Sequence, residues 1–198
     1  MPGARTGRIR VAVLISGAGS NMAALIDAAD HNDAPFEVVL VLSNKAEAGG
    51  LAVAEAKGVS GAVVDHAAFG RDRAAHEQAV QTVLEAHGVE VVALAGYMRL
   101  LTPFLVGRWA GRMLNIHPSL LPKYPGLDTH ARALAAGDAE AGCTVHLVTE
   151  GVDDGPVLGQ SVVPVLDDDT PASLAQRVLA SEHRLYPQAV ADFCRTLD

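Results

Sequence analysis

Aromatic side chains are scarce, at 4% of 198 residues, and there are only two cysteines, Cys143 and Cys194. Two cysteines make no disulfide framework and here have no CxxC spacing for zinc, so they read as reduced thiols. Positive charge is short as well: 15 Lys+Arg stand against 23 Asp+Glu, a formal net charge of −8, with no basic cluster. Such a chain is a poor partner for nucleic acid, whose phosphates have to be neutralised. Long apolar runs are missing too. The longest uncharged stretch, residues 11–26, is interrupted by Ser16-Gly17-Ala18-Gly19-Ser20-Asn21, which leaves it too short and too polar to cross a bilayer. At the start, MPGARTGRIR leads into VAVLIS, an apolar run shorter than a signal peptide requires. These shortages point to a cytoplasmic protein without a membrane partner, with residues 1–9 as a flexible N-terminal extension. What the chain does have is apolar content, 49%, enough for one packed domain over residues 10–198 and too much for general disorder.

Apolar runs of strand length alternate with segments of helix length. Arg10–Ile15 and Glu37–Leu42 are continuous, β-branched runs suited to strands buried on both faces. Ala62–Val64, Val89–Ala95 and Met113–His117 continue the set, the last stopped by Pro118. Between them the patterns predict helices over residues 21–29, 48–57 and 71–87. The third carries Ala75, Ala79, Val83 and Ala86 on one stripe and ends at Gly88. Thr102-Pro103 and Thr170-Pro171 each pair an N-cap residue with proline at the first helical position. Pro187 predicts a kink or split in the last helix, near Tyr186. Cys143–Thr149 and Val157–Val165 read as two late strands joined by Glu150–Pro156, a pair suited to an antiparallel edge hairpin. The fold class is therefore α/β: a single Rossmann-like domain with a mostly parallel twisted sheet, helices on both faces and this late edge hairpin.

Three places carry groups suited to chemistry. The first strand runs into Ser16-Gly17-Ala18-Gly19-Ser20-Asn21 and then a helix. That loop is either a tight turn or a cradle that offers helix N-terminal N–H groups to a phosphate. Met22 stands where a dinucleotide fingerprint needs its third glycine, and the Walker lysine is absent, so a phosphate monoester fits better than a pyrophosphate. Asn115 and His117 are two apart on a strand and share a face. They sit at the C-terminal end of a parallel strand, where open α/β sheets place their sites. Asn is a neutral donor for a developing oxyanion, and His moves protons near neutral pH, although a lone His is more often structural. Asp153-Asp154-Gly155-Pro156 lies in the late loop, where a carboxylate either orients an imidazole or makes a solvated turn. His146, on the preceding strand, reads more readily as a core residue. No cluster of His, Cys and carboxylate has metal-ligand spacing, so no metal is expected.

Asn115-Ile116-His117-Pro118-Ser119-Leu120-Leu121-Pro122-Lys123-Tyr124-Pro125-Gly126 closely resembles the signature of the folate-dependent formyltransferases. Ile15-Ser16-Gly17-Ala18-Gly19-Ser20-Asn21 and Ala95-Gly96-Tyr97-Met98-Arg99-Leu100-Leu101 narrow the resemblance to the branch that formylates phosphoribosylglycinamide in purine synthesis. The likeness runs over residues 10–191. It implies formyl transfer from 10-formyltetrahydrofolate, with Asn115, His117 and Asp153 as the catalytic residues. It implies substrate contacts for Gly19, Ser20 and Asn21 at the phosphate and ribose side, and for Glu182. For the folate it implies Met98, Arg99, Leu100, Leu101 and Asn115, with an arginine after the third strand. Phe69-Gly70-Arg71-Asp72-Arg73 offers two arginines, and Arg73 is assigned. Asp154 departs from the family, which often has glycine there.

The expected partners are thus two small molecules, phosphoribosylglycinamide and a reduced folate, with the oligomeric state left open. Methionyl-tRNA formyltransferases and formyltetrahydrofolate deformylases share the Asn/His/Asp chemistry but carry a further domain, for which 198 residues are expected to leave no room. A sugar-nucleotide formyltransferase and a non-enzymatic folate or nucleotide binder are the other readings. Asn115, His117 and Asp153 together favour an enzyme, since binding alone requires none of them.

Overall fold

In the computed structural model, which describes residues 7–197, strands and helices alternate as the apolar pattern predicts. The chain runs β1 (Ile9–Ile15), α1 (Ser20–Ala29), β2 (Phe36–Ser43), α2 (Gly50–Ala56) and β3 (Gly61–Val63). A 3-10 turn (His66–Phe69) leads into α3 (Arg73–Ala86), β4 (Val91–Leu94), α4 (Pro103–Arg108), β5 (Met113–His117) and α5 (Thr129–Ala135). The last elements are β6 (Glu140–Leu147), β7 (Val157–Pro164) and the long α6 (Pro171–Arg195). All seven strands form one sheet in the order β3-β2-β1-β4-β5-β6-β7. The first five run parallel to one another, while β6 is antiparallel to β5 and β7 to β6. The late pair is therefore the edge hairpin that the sequence suggests.

Two apolar layers enclose the sheet. Val11, Val13 and Ile15 of β1 point to one layer, with Leu25 of α1 and Val178 and Val190 of α6. Ala12 and Leu14 point to the other, with Val80 and Leu84 of α3 and Trp109. A strand covered on both faces has no reason to alternate polar and apolar residues, and β1 does not. At the open edge, burial alternates along β7 from Leu158 onward, and Val157 and Val162 remain exposed.

Several expectations shift. Of the extension, residues 1–6 lie outside the described residues, whereas Ile9 is fully buried as the first residue of β1. Arg8 beside it donates to the carbonyls of Ala29 and Ala34 at 2.7 and 3.0 Å. α3 begins at Arg73 because Asp72 caps it, its carboxylate accepting from the Ala75 N–H. α6 is a single helix through Pro187. Tyr186, Ala189, Val190 and Cys194 are buried on either side of that proline, and their packing carries the helix past the missing N–H.

Candidate active site

Because β1, β4 and β5 are parallel neighbours, their C-terminal ends share one rim, and the loops that follow them open there together. Asn115 and His117 stand at the end of β5. Asp153 reaches both from the β6–β7 loop, with a backbone φ of 52°. That left-handed conformation costs a residue other than glycine about 1–2 kcal/mol, so the loop around it has to be held. Gly155 supplies part of the hold: a Cβ there would stand 1.8 Å from the Leu147 carbonyl oxygen, so the loop lies directly on β6.

Two carboxylate oxygens of Asp153 serve four groups. Oδ2 lies 3.3 Å from His117 Nδ1 and accepts the Gly126 N–H at 2.9 Å. Oδ1 lies 3.4 Å from Asn115 Nδ2 and 3.5 Å from His146 Nε2. Burial alone would raise this carboxyl, but donation from His146 and the Gly126 N–H and the charge of His117 outweigh it. Asp153 therefore stays below the ordinary aspartate range. His117 Nε2 faces the Tyr124 carbonyl at 2.9 Å, so each nitrogen of the ring is aimed at an oxygen acceptor. Tyr124 itself takes a φ of 55°.

His146 belongs to this group, although the sequence reads it as a core residue. It is buried, and its Nε2 lies 3.2 Å from Asn115 Nδ2. With Nδ1–H donating to the Leu147 carbonyl at 2.9 Å, Nε2 accepts from Asn115; once protonated, the same nitrogen donates to Asp153. The signal that finds it is the antiparallel register, which sets His146 directly opposite Asn115.

The glycine-rich loop after β1 is shaped by close packing. Gly19 takes a φ of 74°, and a Cβ on it would stand 2.8 Å from Met22 Cε and 3.1 Å from Gly50 Cα. Gly50 in turn donates its N–H to the Gly17 carbonyl at 3.0 Å. Ser20 and Asn21 then open α1, whose first N–H groups have no intrahelical acceptor. Asn21 Nδ2 donates to Glu182 Oε2 at 2.6 Å across the junction of α1 and α6, both side chains being buried. Burial pushes the Glu182 carboxyl up, and the Asn21 bond only partly offsets it. Among the described residues Asn21 Oδ1 has no hydrogen-bond partner.

Met98, Arg99, Leu100 and Leu101 follow β4, whose last residue, Leu94, pairs with Asn115. Met98 and Leu100 are 64% and 65% exposed. Arg73 stands exposed at the first position of α3. Among the described residues its guanidinium has no hydrogen bond or ion pair, so the fold does not tie it to the other site residues. Asp154 turns away from His117: its carboxylate is exposed and accepts from the Thr149 hydroxyl. Among the described residues no group of three His, Cys, Asp or Glu side chains is placed to hold a metal ion.

The chain is similar to proteins of one family. The sequence profile of the family described as Formyl transferase matches residues 9–190. The phosphoribosylglycinamide formyltransferase of Escherichia coli (strain K12) is 45% identical over 185 residues, which cover 93% of this chain and 87% of that protein. The trifunctional purine biosynthetic protein adenosine-3 of Bos taurus is 45% identical over 183 residues, and this chain spans 18% of its length. Among solved structures, phosphoribosylglycinamide formyltransferase from Brucella melitensis superposes with a TM-score of 0.91 at 55% identity, over 95% of this chain and 96% of that one. A profile match over nearly the whole length, together with relatives of this identity, shows that the chain belongs to the formyl transferase family.

Proposed function

We propose that the protein transfers the formyl group of 10-formyltetrahydrofolate to the glycinamide amine of N1-(5-phosphoribosyl)glycinamide, a step of de novo purine synthesis. The observation that carries this reading is the convergence of Asn115 and His117 from β5 on the Asp153 carboxylate from a distant loop. The folate supplies a formyl group activated on N10. As the amine adds to the formyl carbon, negative charge grows on the formyl oxygen, which Asn115 Nδ2 holds together with His117 Nε2–H, the latter turning to it from the Tyr124 carbonyl. Asp153 orients the imidazole and balances its charge. A C–N bond forms to the glycinamide nitrogen and the bond to N10 breaks; the proton lost by the amine goes to N10. The protein forms no covalent bond in this scheme. Cys143 is no candidate nucleophile, since burial pushes its thiol up to about 12.

On the same reading, Gly19, Ser20 and Asn21 take the substrate phosphate at the α1 N-terminus, and Glu182 takes a sugar hydroxyl. The exposed faces of Met98 and Leu100 receive the pterin, with Arg73 at the folate's carboxylate end. One domain, which opens with Ile9 of β1, performs the reaction, in the cytoplasm and without a nucleic-acid partner. The net charge of −8 supports the last point, and no helix among the described residues is long and apolar enough to cross a membrane. The test is formyl transfer followed by the absorbance change of the folate product. Turnover that requires both 10-formyltetrahydrofolate and phosphoribosylglycinamide is the expected result. Turnover only with an amino sugar nucleotide, or none at all, would overturn the assignment.

A further inference from the structure

We propose that Glu77 and Ser16 are positioning residues for the folate-facing segment 98–101, fixing its backbone at both ends before a ligand arrives. The inference rests on the assignment of that segment to the folate. Glu77 projects from α3 and is 1% exposed, a placement that disfavours a carboxylate unless both oxygens are satisfied. Both are satisfied by a single residue. One oxygen accepts the Thr102 N–H at 2.7 Å and the other the Thr102 hydroxyl at 2.5 Å. Thr102 is the N-cap residue of α4 yet makes no side-chain capping bond there, because its hydroxyl is turned to Glu77. At the other end the Met98 N–H donates to Ser16 Oγ at 2.8 Å, and that hydroxyl donates to the buried Asn44 Oδ1 at 2.5 Å. Between these anchors stand Met98 and Leu100, with their side chains in solvent. A stretch with most of its apolar surface exposed gains little from the core, so the two buried polar anchors keep its shape. Such support from outside the contact shell holds a binding surface in its productive geometry.

Glu77→Leu removes both acceptors at similar volume. Glu77→Gln keeps two hydrogen bonds, its carbonyl taking the Thr102 N–H and its amide donating to the Thr102 hydroxyl. In Glu77→Leu we expect faster amide exchange over residues 98–102 of the free protein and a Michaelis constant for 10-formyltetrahydrofolate raised about tenfold. The constant for phosphoribosylglycinamide and kcat should stay within about twofold, and Glu77→Gln should restore both readouts. Unchanged exchange, or equal rises in both Michaelis constants, would overturn the proposal. Should Glu77→Leu fail to fold, Ser16→Ala removes the other anchor. Faster exchange at Met98 with a raised folate constant then supports the proposal, and no change in either overturns it. The assignment beneath it is checked without any substitution: a non-reactive 10-deaza reduced folate, which lacks the leaving nitrogen, should slow exchange at 98–101 in the wild-type protein. Absence of that protection would remove the folate assignment, and the proposal with it, whereas protection without an effect of the variants would remove the proposal alone.

Discussion

Asp153 serves four groups with two oxygens, so replacing it by asparagine changes charge at nearly constant shape. Asp153→Asn leaves His117 without its charged partner. Losing one catalytic electrostatic contact commonly costs about 2.7–4 kcal/mol, and kcat should fall roughly a hundred- to a thousandfold. Both Michaelis constants should change little, since the proposed phosphate and pterin contacts lie elsewhere. Asp154→Asn is the internal control. Its exposed carboxylate accepts from the loop's own Thr149 hydroxyl, and steady-state rates should fall by less than about tenfold, as for a loop contact worth under about 1.4 kcal/mol. Equal losses at the two positions would mean that His117 works with another partner. Glu182 makes a different prediction. Burial raises its carboxyl, so the folded protein holds that proton more firmly than the unfolded chain does. Its contribution to stability is then fully present below the ordinary glutamate value of 4.5 and is lost as pH rises through the elevated one. Glu182→Gln removes this loss, so melting temperatures of variant minus wild type should increase from pH 4 to pH 7. A difference independent of pH would contradict the burial argument.

At the scale of elements, the β6–β7 loop is positioned by packing as much as by hydrogen bonds. Gly155→Ala would put a methyl group into the Leu147 carbonyl. Overpacking of this kind costs about 2 kcal/mol, which for a chain of this length lowers the melting temperature by about 4–8 °C. Activity should fall with it, because the same loop carries Asp153; thermal melts and initial rates check both. The sequence makes some of these elements plain and hides others. β5 is read at its observed bounds because Pro118 stops it, and α4 and α6 begin where Thr-Pro pairs announce them. α5 escapes notice: its seven residues are too few to show an apolar period, although Asp128 before it is a residue type favoured at N-caps. Asn115 and His117 share a face by spacing alone. Their meeting with Asp153 and His146 depends on the β5–β6 register and on a left-handed residue, neither of which a local pattern contains; only the family resemblance brings Asp153 in.

Across the whole molecule, α6 is more than a cover for one face of the sheet. Its fully buried Tyr186 hydroxyl donates to the Leu94 carbonyl at 2.9 Å and stands 3.3 Å from that of Leu114. One side chain thus joins the C-terminal helix to the two strands whose ends carry the segment proposed for the folate and Asn115. Tyr186→Phe should cost about 1–2 kcal/mol, seen as a melting temperature lower by roughly 3–6 °C, with the volume of the core unchanged. The strand order has a consequence for what the protein can accept. β4 lies between β1 and β5, and neighbouring strands stand about 4.8 Å apart, so the ends of β1 and β5 are separated by roughly 10 Å. One end opens the loop proposed for the phosphate and the other carries Asn115 and His117. The sheet is therefore a ruler of two divisions. A molecule whose phosphate and amine cannot span it leaves one of the two ends unmet, however well the rest of it fits.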